Sequence, residues 1–505
     1  MTKIDEESDR TETEMRCKPG KIVLFMRRTS SFSRLKWITM LISWCGIVLC
    51  ASGAATKPNI LFVFTDDQAI FTVSSSGHPH AQTPNMDRLV DEGANLVNSF
   101  TVTPVCSPSR ASLMCSVYGS EVGITDWIHP KNEPNLGLDP KVPNFPTSLK
   151  QAGYATALVG KWHLGLLPHQ HPTKYGFDYF MGNLRGGWPN AKPTLEVDGK
   201  DQKFEGMTAD ILGDYAIRYL EQTKKDQPFF LAVHHRAPHT RWLPVSDSDW
   251  APYKNLKDAD TVIPNPSYPD LDIPRVKKMT REYLASVRSV DRQLGRYLAA
   301  LDDLGIADNT IVIFSSDHGY SMGHNGIWHK GNGHWVTKPY PEVTNPNIPR
   351  GQRPNMYDLS IKVPTFIRWP GKVKAGSVID HTVTNLDWFP TLCEIAGVVP
   401  PGGLRGRSIV PLLQGKAPAD WNNDYFGQYS TKHQSKTDMR CYRTKRWKLV
   451  RDYRNPERDE LFDLQNDPQE SRNRIADPEL APVIKKLDAK LRAAMEEIGD
   501  QVADG

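Results

Sequence analysis

Asp66 and Asp67 follow the apolar run Ile60–Phe64, and Asp317 and His318 follow the run Ile311–Phe314. Asp66, Asp67 and Asp317 offer hard oxygen donors, which suit Ca²⁺ or Mg²⁺ better than thiolate-seeking Zn²⁺, whereas His318 is a less natural Ca²⁺ ligand than Asn would be. Adjacent carboxylates beyond a buried strand repel each other and need a cation to be tolerated together. Taken alone, Asp66 could equally cap a helix while Asp67 faces solvent. Lys161 and His163 follow the run Ala155–Val159, and His234, His235 and His239 follow Phe229–Val233. One such strand end is often a satisfied cap. Four of them delivering Asp, Lys or His to one edge make a site the better reading.

A second chemical centre is Cys106-Ser107-Pro108-Ser109-Arg110. Ser107 as a cap, with Pro108 in the first turn, predicts a helix with the cysteine at its N-terminus. There the helix dipole favours a bound anion or a developing negative charge, and Arg110 adds a permanent cation one turn on. An ordinary buried cysteine before a capped helix has the same composition. Of 7 cysteines, only Cys106, Cys115, Cys393 and Cys441 lie beyond the leader described below, too few for a disulfide scaffold. The H-E-x-x-H, P-loop and G-x-G-x-x-G patterns are absent.

The apolar runs, with Val363–Ile367 as a fifth, predict a sheet covered on both faces and hence mostly parallel. Helical stretches fall between them at Met86–Glu92 (after Thr83-Pro84), Asp210–Thr223 and Arg281–Leu304. Open α/β sheets bind ligands beyond the carboxyl ends of their strands, which is where these polar residues fall. With 505 residues, 39% hydrophobic and 24% charged, the chain can build a large core and is not a disordered protein. Of the formal charge of +4, most sits in residues 1–55, which hold 9 basic and 6 acidic residues and leave 53 against 52 elsewhere. No basic field or aromatic-basic stripe points to nucleic acid.

Arg27, Arg28, Arg34 and Lys36 precede the apolar run Trp37–Cys50 and then Ala51-Ser52-Gly53-Ala54-Ala55. That order reads as a signal peptide, its apolar run shorter than the roughly 20 residues of a membrane span. The expected division is a leader at 1–55, a catalytic domain at 56–415 and a C-terminal α+β subdomain at 416–505. The expected compartment is periplasmic or extracellular.

Cys-x-Pro-Ser-Arg at 106–110 resembles the signature of type I sulfatases, in which the cysteine is oxidised to formylglycine. The resemblance runs in order from about Lys57 to Glu496. It takes in Asn59–Asp67, Thr83–Asp87, Gly160-Lys161-Trp162-His163-Leu164-Gly165, Pro238-His239, Ser316-Asp317-His318-Gly319, Gly326–Lys330, Trp369–Lys372 and Leu461–Leu464 with Asn466-Asp467-Pro468. It implies an alkaline-phosphatase-like α/β fold: a mostly parallel sheet sandwiched by helices, then a smaller antiparallel sheet with a helix. Trp447–Val450 and Leu461–Leu464 would be strands there. Ala481–Ile498 would be the helix, with Val483, Leu487, Leu491 and Met495 as its core-facing stripe.

The resemblance also implies roles. Cys106 becomes an aldehyde whose hydrate attacks the sulfur of a sulfate ester, positioned by the cation and Arg110. Asp66, Asp67, Asp317, His318 and an oxygen on residue 106 bind Ca²⁺, with Mg²⁺ as the alternative. Lys161 and Lys330 hold sulfate oxygens, Arg353 being a rival for the second position. His239 is the acid for the leaving alcohol, with His235 as its rival, and His163 helps expel sulfate. The implied partners are a sulfated saccharide and a formylglycine-generating maturation enzyme. Aromatic-rich loops and His324, His329 and His334 suit a sugar ring carrying an anion. One departure stands out: relatives follow the motif with Leu-x-Thr-Gly, whereas this chain has Leu113-Met114-Cys115-Ser116. Two other readings use the same residues: a phosphodiester or phosphonate monoester hydrolase, and a non-catalytic saccharide-binding protein in which Cys106 stays a thiol.

Overall fold

Alternate residues of the apolar runs go to opposite sides of one sheet. In the computed structural model, which describes residues 57–256, 268–342 and 345–502, Ile60, Phe62, Phe230, Ile311 and Ile313 share one core. Leu61, Val63, Leu231, Val233, Val312 and Phe314 belong to another. A strand with two apolar faces must be covered twice, and these two cores are the covers. The leader expected at 1–55 lies outside the described residues.

The sheet contains β1 (Asn59–Thr65), β2 (Ala94–Leu96), β3 (Ala155–Lys161), β4 (Tyr179–Asn183), β5 (Thr194–Val197), β6 (Lys200–Lys203), β7 (Phe229–His234), β8 (Thr310–Ser316), β9 (Phe366–Arg368) and β10 (Ser377–Ile379). Their order is β10-β2-β9-β8-β1-β7-β3-β4-β5-β6. The block from β8 to β4 is parallel throughout, so the carboxyl ends that carry the polar residues share one edge. The fifth expected run is the exception. β9 starts only at Phe366 and runs antiparallel to both β8 and β2; Pro364 has no N–H to give a ladder.

Helix α1 (Pro84–Glu92) gets its N-terminal cap from across the molecule, because Asp291 accepts from the amides of Asn85 at 3.0 Å and Met86 at 2.8 Å. Then come α2 (Cys106–Cys115), α3 (Thr208–Glu221) and α4 (Ile273–Asp303), the last longer than its expected span. A separate antiparallel sheet comprises β11 (Tyr425–Thr431), β12 (Thr437–Arg443), β13 (Trp447–Asp452) and β14 (Glu460–Asp463). Leu487, Leu491 and Met495 of α5 (Ala481–Glu497) are buried against it, with Val483 at the margin. That core also takes in Phe100, Val102 and Leu386, which ties the smaller sheet to the larger unit. No helix among the described residues is long and apolar enough to cross a membrane.

Candidate active site

β1 and β8 are paired so that Thr65 lies opposite Ser316, and the chain then delivers Asp66-Asp67 and Asp317-His318 side by side. The Asp317 amide donates to Thr65 O at 3.0 Å, and the Asp67 amide to Asp317 Oδ1 at 3.2 Å. One ligating atom from each of Asp66, Asp67, Asp317 and His318 lies within 4.8 Å of the others, and all four residues are buried. Asp67 holds a φ of 70°, in the left-handed region that few non-glycine residues adopt. Tyr283 of α4 secures it, accepting from the Ala69 amide at 2.9 Å and donating to Asp67 O.

Three cations face the three carboxylates. Lys161 pairs with Asp66, and Lys330 Nζ lies 2.7 Å from Asp67 Oδ1. Arg110 Nε donates to Asp317 Oδ2 at 3.0 Å. Burial alone would raise the Asp66 and Asp67 carboxyls, but the surrounding Lys and His charges outweigh it and hold both well below the usual range. Asp317 goes the other way, pushed up by burial and by Asp66 against the pull of His318 and Arg110. His318 Nδ1 donates to Gly319 O at 3.0 Å, which turns Nε2 toward Asp67 Oδ1 at 3.1 Å and Asp317 Oδ1 at 3.4 Å. Asp66 Oδ1, Asp67 Oδ2 and His318 Nε2 are buried without a hydrogen-bond partner among the described residues. Unpaired hard oxygens at this spacing fit a divalent cation.

Cys106 lies at a helix N-terminus, as the sequence predicts, but it opens α2 itself and Ser107 does not cap it. The N-cap is Val105, with no side-chain bond, and the Ser107 hydroxyl accepts from the Ile128 amide at 3.1 Å inside the core. Cys106, 4% exposed, lies in the wall of a cleft of about 1000 Å³ that also meets Trp127, His163, His239, His329 and Lys330. Burial raises its pKa, yet Lys161, Lys330 and the neighbouring His318 bring the balance below that of an ordinary thiol.

His163 has a φ of 60° and puts Nε2 3.3 Å from Ile128 O, so Nδ1 keeps a free lone pair. Burial, then Lys161 and Arg110, hold this imidazole neutral. His239 donates from Nδ1 to Thr240 O at 2.6 Å, with Nε2 3.9 Å from Asp67 Oδ2. Burial takes its pKa down to about 3 despite the pull of Asp67. An imidazolium there is therefore a stronger acid than a free one, and a rarer one.

Other expected residues go elsewhere. His235 bonds through Nε2 to Tyr297 at 3.0 Å and is absent from the cleft wall; His234 Nδ1 supports Lys161 O at 3.1 Å. Arg353 is paired with Glu460 and Tyr357, leaving Lys330 as the second lysine in the site beside Lys161. His324 packs on Phe71 and His334 on Trp328, so His329 alone of those three lines the cleft. Trp127, Arg185, Asn332 and Gln434 also line it, and sequence reading gave them no role. The Gly186-Gly187 pair just after β4 was the one available signal, because such a pair admits a close neighbour.

A family model described as Sulfatase matches residues 58–398, and one described as N-sulphoglucosamine sulphohydrolase, C-terminal, matches residues 352–497. The chain is 28% identical to an N-acetylglucosamine-6-O-sulfatase of Bacteroides thetaiotaomicron, over 89% of this chain and 88% of that one. It is 30% identical to the N-acetylgalactosamine-6-sulfatase of Homo sapiens, over 72% and 68%. A structure solved in complex with its substrate D-glucosamine-2-N,6-O-disulfate matches with a TM-score of 0.76 at 26% identity, over 89% of this chain and 99% of that one. Matched by the Sulfatase model across more than half its length, this chain belongs to the sulfatase family and is an enzyme.

Proposed function

We propose that this sulfatase removes sulfate from a sulfated saccharide, using Cys106 converted to formylglycine and a divalent cation, Ca²⁺ with Mg²⁺ as the alternative. One observation carries the reading. Asp66 Oδ1, Asp67 Oδ2, His163 Nδ1 and His318 Nε2 are all buried in this site without a hydrogen-bond partner among the described residues. Each such atom costs about 1–3 kcal/mol unless something else meets it, so four in one place mark ligand positions. The saccharide is supported by the names of the relatives above, which act on sulfated amino sugars.

Asp66, Asp67, Asp317, His318 and an oxygen of the modified residue 106 would hold the cation, which supplies positive charge to sulfate oxygens. The formylglycine hydrate supplies an oxygen nucleophile and a second hydroxyl that lets sulfate leave by elimination. Lys161 and Lys330 bind sulfate oxygens as charge redistributes, and Arg110 fixes the geometry from below. His163 Nδ1 accepts a hydroxyl proton, and His239 gives one to the leaving alcohol. Residues 56–415 are the catalytic domain and 416–505 its C-terminal subdomain. The chain is exported to the periplasm or outside the cell after its leader, and a maturation enzyme modifies it.

The test is mass spectrometry of the tryptic peptide ending at Arg110, from protein made with a maturation enzyme, followed by turnover of matched aryl sulfate and phosphodiester. The expected result is a carbonyl-reactive peptide lighter than the cysteine form, and preference for the sulfate. An unmodified thiol in a host that matures other sulfatases favours the saccharide-binding reading. A preference for the phosphodiester overturns the substrate class.

A further inference from the structure

Two cations line the cleft. Lys330 is committed to Asp67 at 2.7 Å, whereas the exposed Arg185 guanidinium has no hydrogen bond or ion pair with any described residue. Its backbone is nevertheless fixed. The Arg185 amide donates to Asn183 Oδ1 at 2.8 Å, and Asn183 O and Leu184 O each accept at 3.1 Å from the amides of Trp162 and His163. The arginine thus rides on the loop that carries Lys161 and His163. Gly186, next in the chain, lies so close that a Cβ there would stand 2.3 Å from the His163 ring.

The facing residues Trp127, Pro130, Asn332 and Gln434 carry no charge. Past Arg185 a second cleft of about 1410 Å³ begins, sharing Arg185 and Gly187 with the first. Of the charges that line it, Lys192 pairs with Glu205 at 2.8 Å and Glu196 with His171 at 2.8 Å, while Asp201 has no ion pair among the described residues. Arg185 is left as an unmatched fork at the junction of the two.

We infer that Arg185 binds a second anionic substituent, a sulfate or a carboxylate, on a saccharide that extends from the first cleft toward the second. This specificity role rests on the saccharide-sulfatase reading above. A guanidinium fork matches the two oxygens of either anion, and a ring bearing the scissile sulfate alone leaves that fork hydrated.

The test measures kcat and KM of mature wild type, Arg185→Ala and Arg185→Lys on four sulfates. These are 4-nitrophenyl sulfate, N-acetylglucosamine 6-sulfate, D-glucosamine-2-N,6-O-disulfate and a 6-sulfated disaccharide bearing a uronic acid. Wild type is expected to prefer a doubly charged saccharide over the singly charged one. Arg185→Ala lowers that preference about tenfold, chiefly through KM, and Arg185→Lys keeps part of it. Whether the disulfate or the uronate loses more identifies the anion. No preference in wild type, or the same preference in Arg185→Ala, overturns the inference while leaving a working sulfatase. Failure to cleave any of the four is a different result and removes the saccharide-sulfatase reading itself.

Discussion

Arg110 meets Asp317 with two nitrogens on one oxygen: Nε donates to Oδ2 at 3.0 Å, and Nη2 lies 3.0 Å from the same atom. This leaves Oδ1 to the Asp67 amide and the side facing His318. Arg110→Lys keeps the charge but loses the fork, so turnover should fall by about 100-fold with the fold retained. Arg110→Ala leaves a buried carboxylate unpaired and should cost roughly 3–5 kcal/mol in urea unfolding. Wild-type turnover in Arg110→Lys would remove the arginine from the mechanism.

Three carboxylates and an imidazole converging within 4.8 Å should bind Ca²⁺ in the native state far better than in the unfolded chain. Chelator is expected to abolish turnover, and added Ca²⁺ to restore it. At a hundredfold excess over Kd the stabilisation is about 2.7 kcal/mol, visible as a rise in Tm. Asp67→Asn should lose that rise. A Tm indifferent to both chelator and Ca²⁺ would count against a cation at this site.

Gly186 and Gly187 make a paired test of His163. A Cβ on Gly186 would come within 2.3 Å of the imidazole, whereas one on Gly187 would meet nothing closer than 3.9 Å. Gly186→Ala should therefore displace the ring and lower kcat by about 10- to 100-fold, much more than Gly187→Ala does. Similar losses in both variants would detach His163 from the rate.

His235 is buried and neutral, bonded to Tyr297 at 3.0 Å, with its pKa brought down to about 4, chiefly by burial. Above pH 6.5 it is neutral in both folded and unfolded chains and contributes no pH dependence. As pH falls from 6.5 toward 4, the unfolded chain takes up a proton that the native state refuses. Stability drops by about 3 kcal/mol over that window. His235→Gln should flatten the wild-type slope by that amount when unfolding free energy is measured at pH 7, 5.5 and 4.5. Parallel slopes for the two proteins would show that His235 does not carry the loss.

Ser116 stands where the resembled motif has glycine. It sits at the end of α2 with a φ of 54°, and its hydroxyl accepts from the Gly406 amide at 2.9 Å. Glycine would relieve the left-handed strain but remove that bond, so Ser116→Gly should change stability by less than about 1 kcal/mol. Cys115→Thr together with Ser116→Gly should raise the fraction of Cys106 converted to formylglycine, read as a peptide mass ratio. An unchanged ratio would mean that Cys115-Ser116 does not hinder maturation.

The sequence by itself determined which strands lie inside the sheet and what chemistry collects at its edge. Residues that are apolar on both faces, such as Ile60 to Phe64, have to be buried on both sides. A parallel arrangement then brings Asp66, Lys161 and Asp317 to one end without further information. The C-terminal helix was equally legible, because Leu487, Leu491 and Met495 recur at the spacing of one helix face. Tertiary structure alone decided the rest. Ser107 turns into the core instead of capping, His235 is turned away to Tyr297, and Arg353 is taken by Glu460, leaving Lys330 to face Asp67. Trp127, Arg185, Asn332 and Gln434 meet at one cleft from loops far apart in the chain. Periodicity records whether a residue faces the core, a local property of the backbone. Which distant side chain completes a charge pair or a cleft wall depends on loop packing, which leaves no repeat in the sequence.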